Sequence, residues 1–224
     1  MRATHLYSLA EAKTTQVTDG MSEALHPVFD KDGKYLYFTA STDSGASRQP
    51  DVFSRTRPVT RSIYLLVLSK DQGSPLAPES DDEKPAADAK DKLPDKVEVK
   101  IDLDSIGQRI LALPLPPRRY ERLQTGKAGV LYAVEVPQPA PGAEPNLTVH
   151  RFDLAKRKSD VPLSGARSFQ MSFNGEKMLY RQGDRWLIAA PKPMDSAQQA
   201  PPEPPALKTE NLEVRADPRA EAAE

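Results

Sequence analysis

Cysteine is absent from the 224 residues, which removes disulfide frameworks, thiolate nucleophiles and cysteine-ligated zinc or iron–sulfur centres from consideration. A charge surplus is absent too. Lys and Arg number 31 against 32 Asp and Glu, a formal net charge of −1, so no global field draws the chain to nucleic acid or to an anionic membrane. Histidine occurs only three times. No apolar run is long enough to span a bilayer, and Met1–Ala12 interleaves polar with apolar residues rather than forming the apolar stretch of a secretory signal. Taken at face value, these absences predict a soluble, cytoplasmic chain. Amphipathic helices of ordinary length are missing as well, and only the Ala/Glu-rich tail from Ala216 is helix-compatible.

Proline, by contrast, is plentiful: 22 residues, gathered mainly into two stretches. Asp71–Lys96 alternates acidic, basic, Ala and Pro residues with almost nothing to bury, so its composition predicts a disordered insertion. Pro191–Leu207 is richer still in proline and reads as an extended, semi-rigid connector. A shorter Pro/Gly loop covers Pro137–Pro145.

Between these breaks the apolar pattern has period two. Val97, Val99, Ile101 and Leu103 alternate with charged residues, as do Phe169, Met171 and Phe173 with polar ones, which describes half-exposed strands. Ile63–Leu68 and Val130–Val136 are short apolar runs of the kind found in strands buried on both faces. The strands repeat. Tyr7–Lys13 (YSLAEAK) with Gly20 parallels Phe152–Lys158 (FDLAKRK) with Gly165 at the same interval. Each copy runs on into a turn and a strand, Asp32-Gly33 before Lys34–Phe38 and Asn174-Gly175 before Glu176–Tyr180, with Ala128-Gly129 before Val130–Tyr132 as a weaker third copy.

Asp-Gly and Asn-Gly tolerate the positive φ of a tight hairpin. A small sheet of this kind cannot cover both of its faces alone, and stacking such sheets around an axis gives a β-propeller. The fold class predicted is therefore all-β, with about three blades forming an incomplete arc of a larger propeller, since closure takes at least four. The first blade is assigned Pro27–Phe29, Tyr35–Ala40, Ile63–Ser69 and Val97–Leu103; the second, Tyr120–Leu123, Val130–Val136, Leu147–Leu154 and Lys158–Leu163. Ile110–Leu113 is an apolar run without an assigned place. Phe169–Phe173, Met178–Arg181 and Arg185–Ala190 form a further blade with Leu212–Arg215 as its fourth edge, and the residues before Gly20 form two outer strands of another. The domains follow: 1–190 a partial propeller containing the insertion 71–96, 191–210 the connector, and 211–224 a terminal strand leading onward.

His26–Asp43, Arg61–Lys70, the acidic insertion, Gln108–Pro114, Leu179–Asp184 and Leu212–Glu221 together resemble, in order, the second propeller of bacterial tricorn protease homologues, serine peptidases of the S41 type. The resemblance implies a multidomain enzyme with propellers first, then a mixed helical segment, a PDZ-like domain and a catalytic domain. It places the nucleophilic serine and its histidine beyond Asp217–Glu221, so this chain alone is expected to be inactive. Implied partners are peptide substrates of the parent enzyme, its remaining peptidase domains and other copies of the parent, with no nucleic acid and no membrane. The implied role is gating or routing peptides. A scaffold of the TolB or WD type, and an independent propeller enzyme with an axial metal or acid pair, are the competing readings.

The candidate chemical groups argue for no catalytic, cofactor-binding or metal-binding residue. His5, His26 and His150 are scattered, with neither a GxSxG elbow nor a metal-spaced partner. Asp30–Gly33 (DKDG) resembles the start of a calcium loop but lacks the later acidic ligands, so a hairpin turn is preferred. Gly126–Gly129 lacks the Ser/Thr of a phosphate loop and reads as a turn. Arg118, Arg119 and Arg122 with Tyr120 form a basic-aromatic cluster suited to a peptide carboxylate or nucleic acid, set against a solvated blade edge. Asn146–Thr148 fits a glycosylation sequon, and Trp186 is assigned to packing between sheets.

Overall fold

A computed structural model of the chain describes residues 2–41, 59–78, 97, 99–137, 146–191, 204 and 206–208. Thirteen strands form among them: β1 (His5–Ser8), β2 (Lys13–Gln16), β3 (Ala24–Phe29), β4 (Tyr35–Ala40), β5 (Ser62–Val67), β6 (Ile110–Ala112), β7 (Tyr120–Thr125), β8 (Val130–Glu135), β9 (Leu147–Asp153), β10 (Lys158–Ala166), β11 (Ser168–Met171), β12 (Met178–Gln182) and β13 (Arg185–Ala189). A single 3₁₀ turn at Ile106–Arg109 is the helical element among the described residues, and no helix there is long and apolar enough to cross a membrane. The strands make four antiparallel sheets: the hairpin β1–β2, a first blade β3-β4-β5-β6, a second blade β7-β8-β9-β10 and a third blade β11-β12-β13. The result is an open arc of propeller blades.

Period-two side-chain placement explains why the sheets stack. In β4, Tyr35 and Tyr37 enter the core shared with the second blade, where they meet Leu123, Leu131 and Phe152; Leu36, Phe38 and Ala40 enter another core with Val17 and Ile106. In β8, Leu131 and Ala133 face the first blade, while Tyr132 and Val134 face Phe169, Met171, Met178 and Tyr180 of the third. Strands β4 and β8 are thus buried on both faces, as their unbroken apolar runs require. Fully burying a Leu or Phe contributes roughly 1.5–3 kcal/mol, and these apolar clusters are shared between neighbouring sheets.

The internal repeat is exact in register. Tyr7 pairs with Thr14 and Ser8 with Lys13 in β1–β2, as Phe152 pairs with Ser159 and Asp153 with Lys158 in β9–β10. Ala12 and Arg157 turn the two hairpins with φ of 50° and 52°. The hairpin β1–β2 is therefore the counterpart of the outer strand pair of the second blade. Gly33, Gly129 and Gly175 occupy the three β-turns of the blades with φ of 72°, 73° and 69°, where an L side chain would be strained.

Two sequence expectations for the first blade need correction. Its fourth strand is Ile110–Ala112, bonded to β5 through Tyr64↔Ala112, Leu65↔Leu111 and Leu66↔Ile110; the described residues of Val97–Leu103 carry no strand. The cause is competition for the edge beyond Val67. Arg109 donates its side-chain N–H groups to the carbonyls of Val67, Leu68, Asp102 and Asp104, and Asp102 accepts from the Lys70 amide at 2.7 Å and Ser69 Oγ at 3.1 Å. Val97 and Val99 are used differently, packing over the Cα of Gly33. The insertion read as 71–96 begins with ordered turns over 71–78, where Leu76 packs against the core between the first two blades and Arg157 donates to the Ala77 carbonyl at 2.7 Å; 79–96 lies outside the described residues.

At the far edge of the third blade, Ala206 bridges Leu187 and the Leu207 amide donates to the Trp186 carbonyl at 2.8 Å. Leu212–Arg215, the expected fourth edge, lies outside the described residues, as do 138–145 and the tail from Ala216. Trp186 is half-buried; Leu187, its neighbour on the opposite sheet face, is the residue packed into the core between the second and third blades.

Candidate functional site

The innermost strands β3, β7 and β11 succeed one another around the arc, and among the described residues the edges facing inward have no strand partner. Side chains complete them instead. Thr125 Oγ1 of β7 donates to the Phe29 carbonyl of β3 at 3.2 Å. Toward β11, Arg122 Nη2 donates to the Phe169 carbonyl at 3.0 Å, and Gln124 Oε1 accepts the Met171 amide at 2.7 Å. Gln124 Nε2 also donates to Gln170 Oε1 at 3.0 Å. These bonds satisfy main-chain groups that would otherwise be free at an edge, and they fix the spacing of the inner wall. Exposed polar and apolar groups line it: Pro27 and Phe29 on β3, Glu121 and Arg122 on β7, Gln170 on β11.

At one end of the wall, the β-turns of successive blades stack. Asp30, 4% exposed, accepts the Gly129 amide with both carboxylate oxygens at 3.0 and 3.2 Å, a link between residues 99 apart in sequence. Burial pushes its carboxyl up to about 7, with Asp32 adding to the rise and the Gly129 amide opposing it. Gly175 of the third blade lies so near Gly126 of the second that a Cβ would sit 2.4 Å from the Gly126 carbonyl carbon. The DKDG segment is a hairpin turn, with the Gly33 amide donating to the Asp30 carbonyl at 3.1 Å and the Lys34 amide to Asp32 Oδ1 at 3.0 Å. Gly126–Gly129 is a turn as well, the Val130 amide donating to the Lys127 carbonyl at 3.0 Å. The role of Asp30 as a staple between blades was not legible in sequence, because its partner is a backbone amide in another repeat.

The opposite end carries paired charges. Glu23, buried, takes Arg61 Nη2 at 3.2 Å and Arg2 Nε at 3.7 Å. Glu135 takes His150 Nε2 at 2.6 Å and Arg118 Nη1 at 3.4 Å, while the His150 ring meets the edge of Tyr120 at 6.0 Å. Tyr120, fully buried, donates to the Pro116 carbonyl at 2.9 Å, and burial pushes its phenol up to about 12. The basic-aromatic cluster is thus divided among internal duties: Arg118 to Glu135, Arg119 to Glu121 at 3.1 Å, Arg122 to Phe169 and Tyr120 to the core. It forms no convergent anion site.

The three histidines fall on β1, β3 and β9. His5 contacts the Ala3 carbonyl at 3.1 Å. His26 lies at φ 56° where the β3–β4 register breaks between Leu25 and Val28; a non-glycine left-handed residue before proline stores on the order of 1–3 kcal/mol. Its Nδ1 lies 3.5 Å from Thr39 Oγ1, the nearest approach to a base–nucleophile pair at a histidine among the described residues, but Thr39 is 0% exposed in a central strand. Among the described residues no group of three or more His, Cys, Asp or Glu side chains is placed to hold a metal ion. Asn146 is exposed at the start of β9.

A cleft of 380 Å³ separates the second and third blades at the turn end, lined by Lys127, Lys156 and Arg151 together with Asp153 and Glu176. Arg151 is held through Nε by Asp160 Oδ1 at 2.8 Å. With Asp160 counted, three cations meet three carboxylates, so among the described residues the cleft has no net charge with which to select an anion.

The tricorn protease second beta propeller domain family matches residues 1–192. Tricorn protease homolog 1 of Streptomyces coelicolor is 24% identical over 190 residues, covering 80% of this chain and 18% of that protein. Putative tricorn protease homolog 2 of the same organism is 27% identical over 179 residues, covering 73% and 15% respectively. Among solved structures, the crystal structure of the tricorn protease matches 84% of this chain and 18% of its own with a TM-score of 0.60 at 17% identity, a likeness of fold. The chain thus spans less than a fifth of the relatives it matches. With blades, turns and repeat register all in agreement, the chain belongs to the family of the tricorn protease second β-propeller domain.

Proposed function

We propose that this chain is the noncatalytic propeller portion of a tricorn-like serine peptidase, and that its inner strands form part of the wall of a path by which peptides reach active sites elsewhere in the parent. The observation that carries this reading is the inner wall itself. The edges of β3 and β11 are satisfied at Phe29, Phe169 and Met171 by side chains of β7, so at these positions a passing peptide meets main-chain groups that are already paired. The connector 191–210 would lead on to the remaining peptidase domains.

The coding sequence downstream of Glu224 is the first test. A helical, PDZ and serine-containing continuation supports the proposal, whereas a stop codon with no such coding sequence overturns it. The second test is Gln170→Trp in the parent enzyme, which narrows the wall. Turnover of long fluorogenic peptides should fall at least severalfold while that of a dipeptide reporter stays unchanged. Equal effects on both substrates would remove the routing role.

A further inference from the structure

His26 sits at a local departure from the regular ladder of β3. A register break in β3 and a left-handed backbone at φ 56° turn it out of the ladder, and bulges of this kind re-aim side chains. The imidazole comes to lie half-buried beside Thr39, with Arg61 of its own blade and Glu121 of the next blade's inner strand as the charged groups acting on it. Burial first, then Arg61, holds the ring below the usual imidazole range against the pull of Glu121, so it is neutral at neutral pH. Both charged neighbours are already paired, Arg61 with Glu23 and Glu121 with Arg119.

The tautomer follows from the hydroxyl. Thr39 Oγ1 donates its one hydrogen to the Leu25 carbonyl at 3.2 Å, so its contact with the ring at 3.5 Å has Nδ1–H as donor and Oγ1 as acceptor. Nε2 is then a bare acceptor, and among the described residues it has no partner. A neutral lone pair between balanced charges does not select an ion. It accepts from a neutral donor, and in a peptide-lined path the commonest neutral donor is the main-chain N–H.

We propose that His26 Nε2, on the innermost strand β3, is a binding point for the backbone amide N–H of an extended peptide. The site deepens the routing role and rests on it for its ligand. Because the contact reads the main chain, it holds peptides irrespective of sequence.

The test is ¹⁵N NMR of the histidine rings in the full 224-residue chain, titrated with acetyl-(Ala-Gly)₃-amide and, separately, with acetyl-hexasarcosine-amide, which has no main-chain N–H within its residues. The free chain should show Nδ1 protonated and Nε2 bare at His26. The alanine–glycine peptide should move Nε2 toward the protonated position, and the sarcosine peptide should not. His26→Asn, which tolerates the left-handed backbone, should weaken binding of the first peptide by about fivefold, the worth of one hydrogen bond. A protonated Nε2 in the free chain overturns the proposal, as does equal response to the two peptides. Shifts along β7 and β11 with a silent His26 overturn it while leaving peptide routing in place. Silence along the whole wall removes both.

Discussion

Replacing Asp30 by Asn should stabilise the chain at alkaline pH and leave it nearly unchanged in acid. Asp30 is buried against the Gly129 amide, with Asp32, Tyr35 and Tyr37 as the titratable groups acting on it or feeling its charge. Burial raises its carboxyl from 3.8 to about 7, so the folded state prefers the protonated form. The associated stability is full below the unfolded value near 3.8, declines as pH rises toward 7, and is absent above it. A difference of about three units at roughly 1.4 kcal/mol each sets a ceiling of about 4 kcal/mol. Asn keeps an oxygen for the Gly129 amide and carries no charge, so Asp30→Asn should recover on the order of 2–4 kcal/mol at pH 8. At pH 4 it should recover little. Urea unfolding of both proteins at half-unit steps from pH 4 to 8 measures this directly. A variant less stable than the parent at pH 8, or a gain independent of pH, would refute the account of Asp30 as a costly ionised staple.

Gly175→Ala forces a Cβ to within 2.4 Å of the Gly126 backbone at φ 69° and should cost at least about 2–4 kcal/mol, whereas Gly183→Ala, with φ 56° but nothing within 4 Å, should cost about 1 kcal/mol; similar melting temperatures for the two would show that the turns of adjacent blades do not touch. The outward face of the third blade exposes Ile188 beside Leu179, its cross-strand partner, so the purified chain should self-associate in sedimentation runs and Ile188→Lys should shift it toward monomer. A wild-type chain that is monodisperse at high concentration would contradict this. The chain alone should not hydrolyse fluorogenic peptides, and turnover abolished by replacing His5, His26, His150 or a serine of this sequence would sink that expectation.

Much of this fold could be read from side-chain period and turn chemistry. Tyr35–Ala40 was bounded correctly because a doubly buried strand must be continuously apolar and Asp32-Gly33 announces the turn before it. Val97–Leu103 misled because alternation reports an extended segment and not a paired one; the pairing was decided by Arg109, whose donors cap the carbonyls beyond Val67. Ile110–Ala112 is too short to carry a periodic signal. At the inner wall, the roles of Arg122 and Gln124 could not be foreseen, since each serves a backbone group in the neighbouring blade. Trp186 is the sequence's candidate for packing between sheets, yet β-strand parity gives the place in the core between the second and third blades to Leu187.

The double burial of β4 and β8 has a consequence for how such a protein can change over evolutionary time. A middle strand that supplies Tyr35 and Tyr37 to one core and Leu36, Phe38 and Ala40 to another cannot be lost without uncovering two neighbours. A whole blade inserted by duplication brings its own two faces and satisfies both. Growth by entire repeats is therefore tolerated where partial deletion is not, and the matching hairpins at Ala12 and Arg157 are what duplication of a whole unit would leave behind.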